Sequence, residues 1–532
     1  MSYCPKITEL TTKLLEECEL DTKTHFEYLR NLKYGHEKVN YVYELLKMTP
    51  SFQNIFMNSR IVKSNTISNI LRKKGNDFFS EGNYAMALEC FTKSILNAEN
   101  SSESLVLAYQ DRAVLLFRKK YYFECQQDTE RALQVDCSTR SQESLINLQK
   151  EATKYKSHNT YFSKPIPQLS NENSLCSSAT DFIEIKKDEL VGRYFVAAKD
   201  INVGEILIVE KSFAHTTFPE SQYLHCHECL GICYNLMPCP KCTKALFCSE
   251  FCREESWKTH HRYECDMIPL YGQLTLNFVK MVIIAVNQLK EESKDDEKYQ
   301  SDRFKEINEL VTNEDKRECV NFFYPIIMSC IGYHDIMTNT NISKDANIAD
   351  NDLKDLIYKC IMIDSINSFN IKKYSECGDT SQKVALGIFS FSSFFNHSCA
   401  PNCSFFFHGR HLVVRAMSNI RKGEECNISY YGFCPFSSTK VTERQHYLRD
   451  IFFFDCQCRA CKENWPTFES LPLGISESEM RDISVIDRES DELQRIIQFL
   501  GKVQTYPCQA AVYIQKKLTV KYNCMGNKII NF

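Results

Sequence analysis

The sequence predicts a multidomain α+β protein. Helical repeats come first, then a β-rich core interrupted by a metal-binding module and a helical insert, then a second cysteine cluster and a short helical C-terminal region. Three observations predict this order. Residues 67–133 carry two amphipathic helix pairs, and residues 226–265 hold eight Cys and His ligands within 40 positions. Gly387–Asn402 is an apolar, strand-like run that ends in Asn396-His397-Ser398-Cys399 and a turn at Ala400-Pro401-Asn402. Apolar runs of this length form buried core, so this one carries polar groups to the edge of a core.

At 532 residues the chain exceeds one core, and about three or four domains are expected. Its 43% hydrophobic and 25% charged residues are ordinary for a globular protein. A net charge of −4 leaves no excess of cations for phosphates, which argues against direct nucleic-acid binding. Met1-Ser2-Tyr3-Cys4-Pro5-Lys6 lacks the basic-then-apolar pattern of a secretion signal. No apolar run approaches the ~20 residues needed to span a bilayer. The expectation is an intracellular protein with no membrane association, where disulfides are disfavoured. Its 27 cysteines then call for metal, packing or redox chemistry, with metal the first to test.

In chain order, Gly75, Phe79, Gly82, Tyr84, Ala87, Phe91 and Ile95 mark one helix pair broken at a glycine turn. Ala108, Tyr109, Arg112, Ala113, Phe117, Tyr121, Asp128, Ala132 and Leu133 mark a second. Small residues at 75 and 87 would let the helices approach closely, with aromatics filling the seam. The pair resembles tetratricopeptide repeats. A stable solenoid usually needs about three units, and Leu10–Leu46 and Ser144–Tyr155 are expected to supply flanking helices. The polar segment Ser157–Thr180 reads as a linker.

Cys226-x2-Cys229, Cys239-x2-Cys242, Cys248-x3-Cys252 and His261-x3-Cys265 follow. Two-residue spacing lets one tight turn offer two thiolates to one metal, and eight ligands make two closed structural sites without an open position for catalysis. Leu270–Leu310 reads as helical, around Leu274, Asn277 and the apolar run to Ala285, and Asn339–Asp352 as a polar loop. After the Gly387–Asn402 run come Arg421–Tyr431, a glycine turn leading into a strand that ends in tyrosines, and then Phe454-Asp455-Cys456-Gln457-Cys458 with Cys461.

Together with Val191–Ile206, these pieces stand in the order of a SET protein-methyltransferase domain: opening glycine turn, pseudoknot strand, Gly-Glu-Glu to Tyr strand, and post-SET cysteines. The ligand module, with Trp257, resembles a MYND zinc finger. A MYND finger inside a SET domain resembles the SET and MYND domain-containing proteins, and the preceding repeats point to their type-four-like subgroup and its arthropod relatives. The resemblance spans roughly residues 65–530 and implies these boundaries: repeats 1–156, linker 157–180, first SET part 181–225, MYND finger 226–265, helical insert 266–358, catalytic SET part 359–450, post-SET cluster 451–466, and C-terminal helices 467–532.

The family implies transfer of a methyl group from S-adenosylmethionine to a lysine of a histone or non-histone protein. By motif, Tyr430 takes the catalytic position. Arg193, Asn367, Asn396, His397, Tyr430 and Phe454 contact the cofactor, and Glu424 stabilises a turn. The interleaved finger implies one zinc on Cys226, Cys229, Cys248 and Cys252, and another on Cys239, Cys242, His261 and Cys265. His260 is the rival of His261, and Cys233 is a spare thiol. A third zinc is implied on Cys456, Cys458, Cys461 and Cys399, with Cys403 competing for the fourth place.

Two departures stand out. Tyr194 replaces a glycine able to take positive φ, and Phe452 replaces a second channel tyrosine. The C-terminal helical region is shorter than the family's, which implies a more open cleft or lower stability. The resemblance further implies a monomer of nucleus and cytoplasm, with proline-containing peptides at the finger and peptides at the repeats. A weakly active or inactive scaffold, or a transcriptional corepressor, is the alternative.

Overall fold

The computed structural model describes residues 5–18, 22–57, 62–135, 142–155, 165–173, 176–189, 192–267, 277–292, 301–375, 378, 380–485, 492–500, 503, 506–529 and 532. Val191, Leu270, Leu274, Asp491, Lys502 and most of the expected linker before residue 165 lie outside them.

Helices α1 (Pro5–Glu17), α2 (Thr22–Asn31), α3 (Gly35–Leu46) and α4 (Pro50–Met57) precede the repeats. The repeats are α5 (Asn65–Ser80), α6 (Tyr84–Asn97), α7 (Glu103–Arg118) and α8 (Tyr122–Gln134), flanked by α9 (Gln142–Thr153). Side chains of Ser64, Asn83 and Ser102 accept the first free amides of α5, α6 and α7, which is why these helices start where they do. Gly75 of α5 lies on Phe91 of α6, and a Cβ there would stand 2.5 Å from the ring, so only glycine permits this approach.

The expectation that Leu10–Leu46 flanks the repeats fails. Helix α9 packs on α8, but α3 packs on two later helices, α14 (Cys319–Asn339) and α16 (Asp350–Asn367). Val39, Val42 and Leu46 are fully buried there. The Tyr43 hydroxyl lies 2.8 Å from His334 Nδ1, the His36 amide donates to Asp355, and Lys38 pairs with Glu314. The apolar stripe of α3 thus finds its partner far along the chain.

Strands β1 (Glu172–Asn173), β2 (Cys176–Thr180), β3 (Ile183–Asp188), β4 (Gly192–Ala197), β5 (Ile206–Lys211) and β6 (Ala214–Thr217) come next. Residues 172–173 and 176–180, expected in the linker, are strand instead. Ala179 pairs with Ile208, and Cys176 and Ala179 are buried. The Cys/His module holds β7 (Met237–Pro238), β8 (Leu246–Phe247), α10 (Glu250–Ser256), a π-helical turn at Trp257–His261, and α11 (Arg262–Glu264). Helices α12 (Asn277–Glu292), α13 (Ser301–Asn308), α14, α15 (Ile342–Asp345) and α16 follow. Helix α15 falls in the expected loop, and α16 continues through the boundary expected at 359.

Strands β9 (Phe369–Tyr374), β10 (Ser381–Ile388), β11 (Asn396–His397), β12 (Cys403–His408), β13 (His411–Ala416) and β14 (Glu425–Ile428) then pair with the earlier strands. The sheets run β1-β2-β5-β13-β12, β6-β10-β9 and β11-β14-β4-β3. Strands from before residue 218 and after residue 368 therefore share every one of these sheets. Helices α17 (Val441–Phe452), α18 (Arg459–Lys462), α19 (Glu477–Val485), α20 (Glu492–Leu500) and α21 (Gln509–Met525) complete the chain.

The repeats dock on the Cys/His module through a buried ion pair. Fully buried Arg112 donates to both oxygens of Asp128, at 2.7 and 3.0 Å, and to the Leu236 carbonyl at 2.9 Å. Arg131 reaches the Asn235 carbonyl at 2.6 Å. Removing one partner of such a pair strands a charge in the core. Asp128→Ala is expected to cost about 3 kcal/mol, read as earlier loss of repeat helicity in urea. Replacing both residues with apolar ones of similar volume should restore most of it.

Candidate active site and metal centres

The twelve expected metal ligands fall into three groups, each with its ligand atoms within 4.8 Å of one another: Cys226, Cys229, Cys248, Cys252; Cys239, Cys242, His261, Cys265; and Cys399, Cys456, Cys458, Cys461. The local sequence shapes each group. The Gly231 and Lys241 amides turn onto the Cys229 and Cys239 sulfurs at 3.4 Å, and Ser249 caps the helix that presents Cys252. Four thiolates about 2.3 Å from a tetrahedral zinc stand about 3.8 Å apart. Cys229–Cys248 measure 3.7 Å, Cys248–Cys252 3.6 Å, Cys239–Cys265 3.8 Å and Cys399–Cys461 3.5 Å between sulfurs. His261 Nε2 is 3.5 Å from Cys242 Sγ. These edges fit zinc and are far too long for disulfides.

The rivals lie elsewhere. His260 turns both nitrogens to the hydroxyls of Ser256 and Thr259, Cys233 lies against Asn235, and Cys403 is buried in β12 opposite Ala416. Glu264, which sequence reasoning missed, stands 3.7 Å from His261 Nδ1 and 3.6 Å from His260 Nε2, a carboxylate beside the expected ligand without a direct hydrogen bond to it.

The third group sits under a large cleft, 2340 Å³ in volume. It is lined by the end of α16, β9, β11, the segment following α17, and α21. The pairing that sets its geometry is the short parallel one of Asn396 with Asn427 and His397 with Ile428. Asn402 and Asn427 lock it by exchanging bonds, each amide N–H donating to the other's side-chain oxygen at 3.2 and 2.9 Å. Ahead of it, the wholly buried carboxylate of Glu210 accepts from the Phe391 and Ser392 amides at 3.1 and 2.8 Å and from the Ser392 hydroxyl at 2.7 Å. A carboxylate in the apolar strand Ile206–Lys211 was the sequence signal for this role, and it went unread.

His397 Nδ1 accepts the Tyr430 amide at 2.9 Å, so its proton resides on Nε2, which faces Cys399 Sγ at 3.3 Å. Burial lowers its pKa to about 4, which keeps the ring neutral. The Tyr430 hydroxyl donates to the Phe395 carbonyl at 2.8 Å, and its ring meets those of His397 (5.3 Å), Phe452 (5.0 Å) and Phe454 (6.3 Å). Burial, then the charge of Glu425, raises the phenol well above its ordinary value, so it is no base at neutral pH. Tyr431 packs on Tyr447 instead, 4.3 Å between centroids.

The remaining expected residues also line the cleft. Asn396 donates to Glu425 at 3.0 Å. Arg193 lies 3.9 Å over the Phe394 ring and is ion-paired with Glu306 and Glu309 at 2.7 and 3.1 Å. Asn367 ends α16, its amide donating to the Val311 and Ile363 carbonyls. Glu424 accepts the Arg421 amide in the turn, as expected. Tyr194 pairs with Lys186 inside β4, and the positive φ, +76°, belongs to Gly192. The tyrosine therefore causes no backbone strain.

Residues 185–431 match the SET domain family. The chain is similar to "Protein-lysine N-methyltransferase SMYD4" of Pongo abelii, 25% identical over 535 positions, covering 74% of this chain and 66% of that protein. It is similar to "Histone-lysine N-methyltransferase SMYD3" of Mus musculus, 30% identical over 270 positions, covering 50% and 58%. A SET and MYND domain-containing protein of Dictyostelium discoideum is 22% identical over 342 positions, covering 55% and 85%. The chain thus spans less than two thirds of the length of the first two.

One buried cleft group has a stability signature. Asp364 is 7% exposed and accepts from Asn277 at 2.7 Å and from Ser368 at 2.5 Å. Burial outweighs both bonds and raises its pKa from 3.8 to about 6. The folded state then holds the proton more tightly than the unfolded state, so stability is greatest below about pH 4 and falls as pH rises through 6. Asp364→Asn keeps an acceptor and removes the charge. It is expected to stabilise the protein by about 3 kcal/mol at pH 7 and by well under ~1 kcal/mol at pH 4, read by thermal melts.

Proposed function

We propose, on the premise that the chain is a SET-domain protein of the SET and MYND domain-containing group and its type-four-like subgroup, that it is a protein-lysine N-methyltransferase acting on histone or non-histone proteins. The observation that carries the reading is the Tyr430 hydroxyl held on the Phe395 carbonyl, in one aromatic-walled cleft with Asn396 and His397. In this reading residues 181–225 and 359–450 are one SET domain, divided by the MYND finger at 226–265 and the helical insert at 266–358. Residues 451–466 close it. The shared sheets support that division. On the same reading the chain is a monomer of nucleus and cytoplasm.

Arg193, Asn367, Asn396, His397 and Phe454 would hold S-adenosylmethionine, which supplies an electrophilic methyl group when bound. A cleft of 2340 Å³ exceeds the space one small ligand needs, about 300–1,000 Å³, and leaves room for a peptide. The chain's own task is alignment, which accounts for much of the rate of such displacements. Tyr430 stays protonated and fixed by Phe395, so its hydroxyl and the neighbouring carbonyl present preset dipoles to the incoming amine. Phe452 offers shape without a second hydroxyl. The three Cys/His groups would hold zinc as closed structural sites, and the third ties Phe454 to the strand carrying His397.

The second reading is a scaffold or corepressor with a weak SET core, whose repeats and finger bind protein partners. Phe452 and the engagement of Arg193 by two glutamates favour it.

Calorimetry of S-adenosylmethionine binding separates them. Binding that Asn396→Ala abolishes is expected, and no binding to folded, metal-loaded protein would leave the scaffold. Tyr430→Phe should slow transfer to a lysine peptide by about 10–100-fold with cofactor affinity unchanged. Metal analysis should give three zinc ions per chain, and Cys456→Ser should lower that count by one and weaken cofactor binding while the finger stays folded.

A further inference from the structure

One wall of the cleft carries lysines without counter-charges. Lys372 of β9 and Lys383 of β10 are register partners, side by side across the ladder, and both line the cleft that holds Tyr430. Lys359 of α16 lines it too. Like charges directly opposite on a sheet are destabilising. Among the described residues no ion pair joins any of the three to a carboxylate. Asp364 and Glu220 are among the carboxylates of the cleft lining. Asp364 is committed to Asn277 and Ser368, and Glu220, which follows β6, forms no ion pair. Lys372 is half-buried, and burial, then the charge of Lys383, lowers its pKa. Neighbouring Lys373 faces the other side of β9 and is buried there.

Strand β9 is also the outer strand of its sheet. Residues 527–529 bridge its Tyr374 end and the Asn527 side-chain amide donates to the Lys372 carbonyl, which leaves Phe369–Ile371 as the open stretch of that edge. An extended chain lying along such an edge brings alternate side chains, about 6.6 Å apart, to one face. The uncompensated cations on that wall thus lie where the residues flanking a target lysine would run.

We infer that this wall selects substrates by charge: the proteins methylated carry acidic side chains near the target lysine, received by Lys372, Lys383 and Lys359. This rests on the methyltransferase reading of the same cleft. Nucleic acid offers negative charge too, but the chain's net charge of −4 opposes it.

The test uses the full zinc-loaded chain and equal-length fluorescent peptides with one central lysine, flanked on either side by glutamates, glutamines or lysines. An oligonucleotide serves as competitor. Glutamate-flanked peptides are expected to bind roughly tenfold tighter than glutamine-flanked ones, with the gap narrowing as salt rises. Lys372→Gln with Lys383→Gln should abolish the gap, and Lys372→Glu with Lys383→Glu should turn the preference to lysine-flanked peptides. The single Lys383→Gln variant, at an exposed position, guards against misfolding of the doubles and should halve or more the preference.

Equal affinity for all peptides, a preference that survives the double variant, or tighter binding of the oligonucleotide overturns the inference. Methyl transfer without peptide preference sinks only the charge selection. Peptide preference with cofactor bound but no transfer sinks the methyltransferase reading and leaves an acidic-peptide surface.

Discussion

The short parallel pairing of Asn396 and His397 with β14 is the joint on which the rest of the cleft depends. Parallel neighbours need a crossover of about a dozen residues or more, and here some thirty residues holding β12 and β13 bring the chain after Phe395 beside β14. A two-residue pairing is too small to hold itself. It persists because the Asn402–Asn427 exchange closes it on one side and the buried Glu210 carboxylate fixes the turn before it. A buried carboxylate is tolerated only with full hydrogen bonding, and Glu210 obtains that from the loop it organises.

His397 converts this joint into a site. Its two nitrogens reach in opposite directions, one receiving the Tyr430 amide and the other facing Cys399. The orientation of Tyr430 and the orientation of a metal ligand are set by one neutral ring. A change at the metal group would therefore register at the tyrosine through one side chain, without any movement of the surrounding sheets.

The three Cys/His groups were legible because metal ligation demands residue types at fixed spacing, and Cys226–Cys265 supplies two of them within one short module. The stretch at 185–431 was legible through its resemblance to the SET domain family, which the family match bears out. What sequence left unread depends on distant partners. The apolar stripe of α3 predicts burial but not whether its cover is the next repeat or α14 and α16. The strand at 176–180 is polar enough to read as linker, and its pairing with β1 and with distant β5 makes it a strand. Tyr194 looked like strain because a glycine is expected there, yet Gly192 takes the positive φ and leaves Tyr194 in ordinary strand. The roles of Glu210 and Glu264 rest on residues further along the chain. Both are defined by what folds over them.

The third cysteine group bears on how the cleft keeps its shape. Cys399 and Cys461 are separated by 62 positions, and the intervening chain contains β12, β13, β14 and Tyr430. A link closing a loop of that length removes much of the entropy the unfolded chain would otherwise keep, on the order of 4 kcal/mol if it behaves as a covalent cross-link does. The gain is local, because the segment tied down is the one carrying Phe452 and Phe454 against Tyr430. Few other apolar contacts hold that segment to the sheets: its neighbours are a small cluster around Phe436, Leu448 and Trp465, distinct from the main core. With a metal bound, the cysteine group would add to this wall what the Asn313 bond to the Phe452 carbonyl and the Arg317 contact on Phe453 already begin.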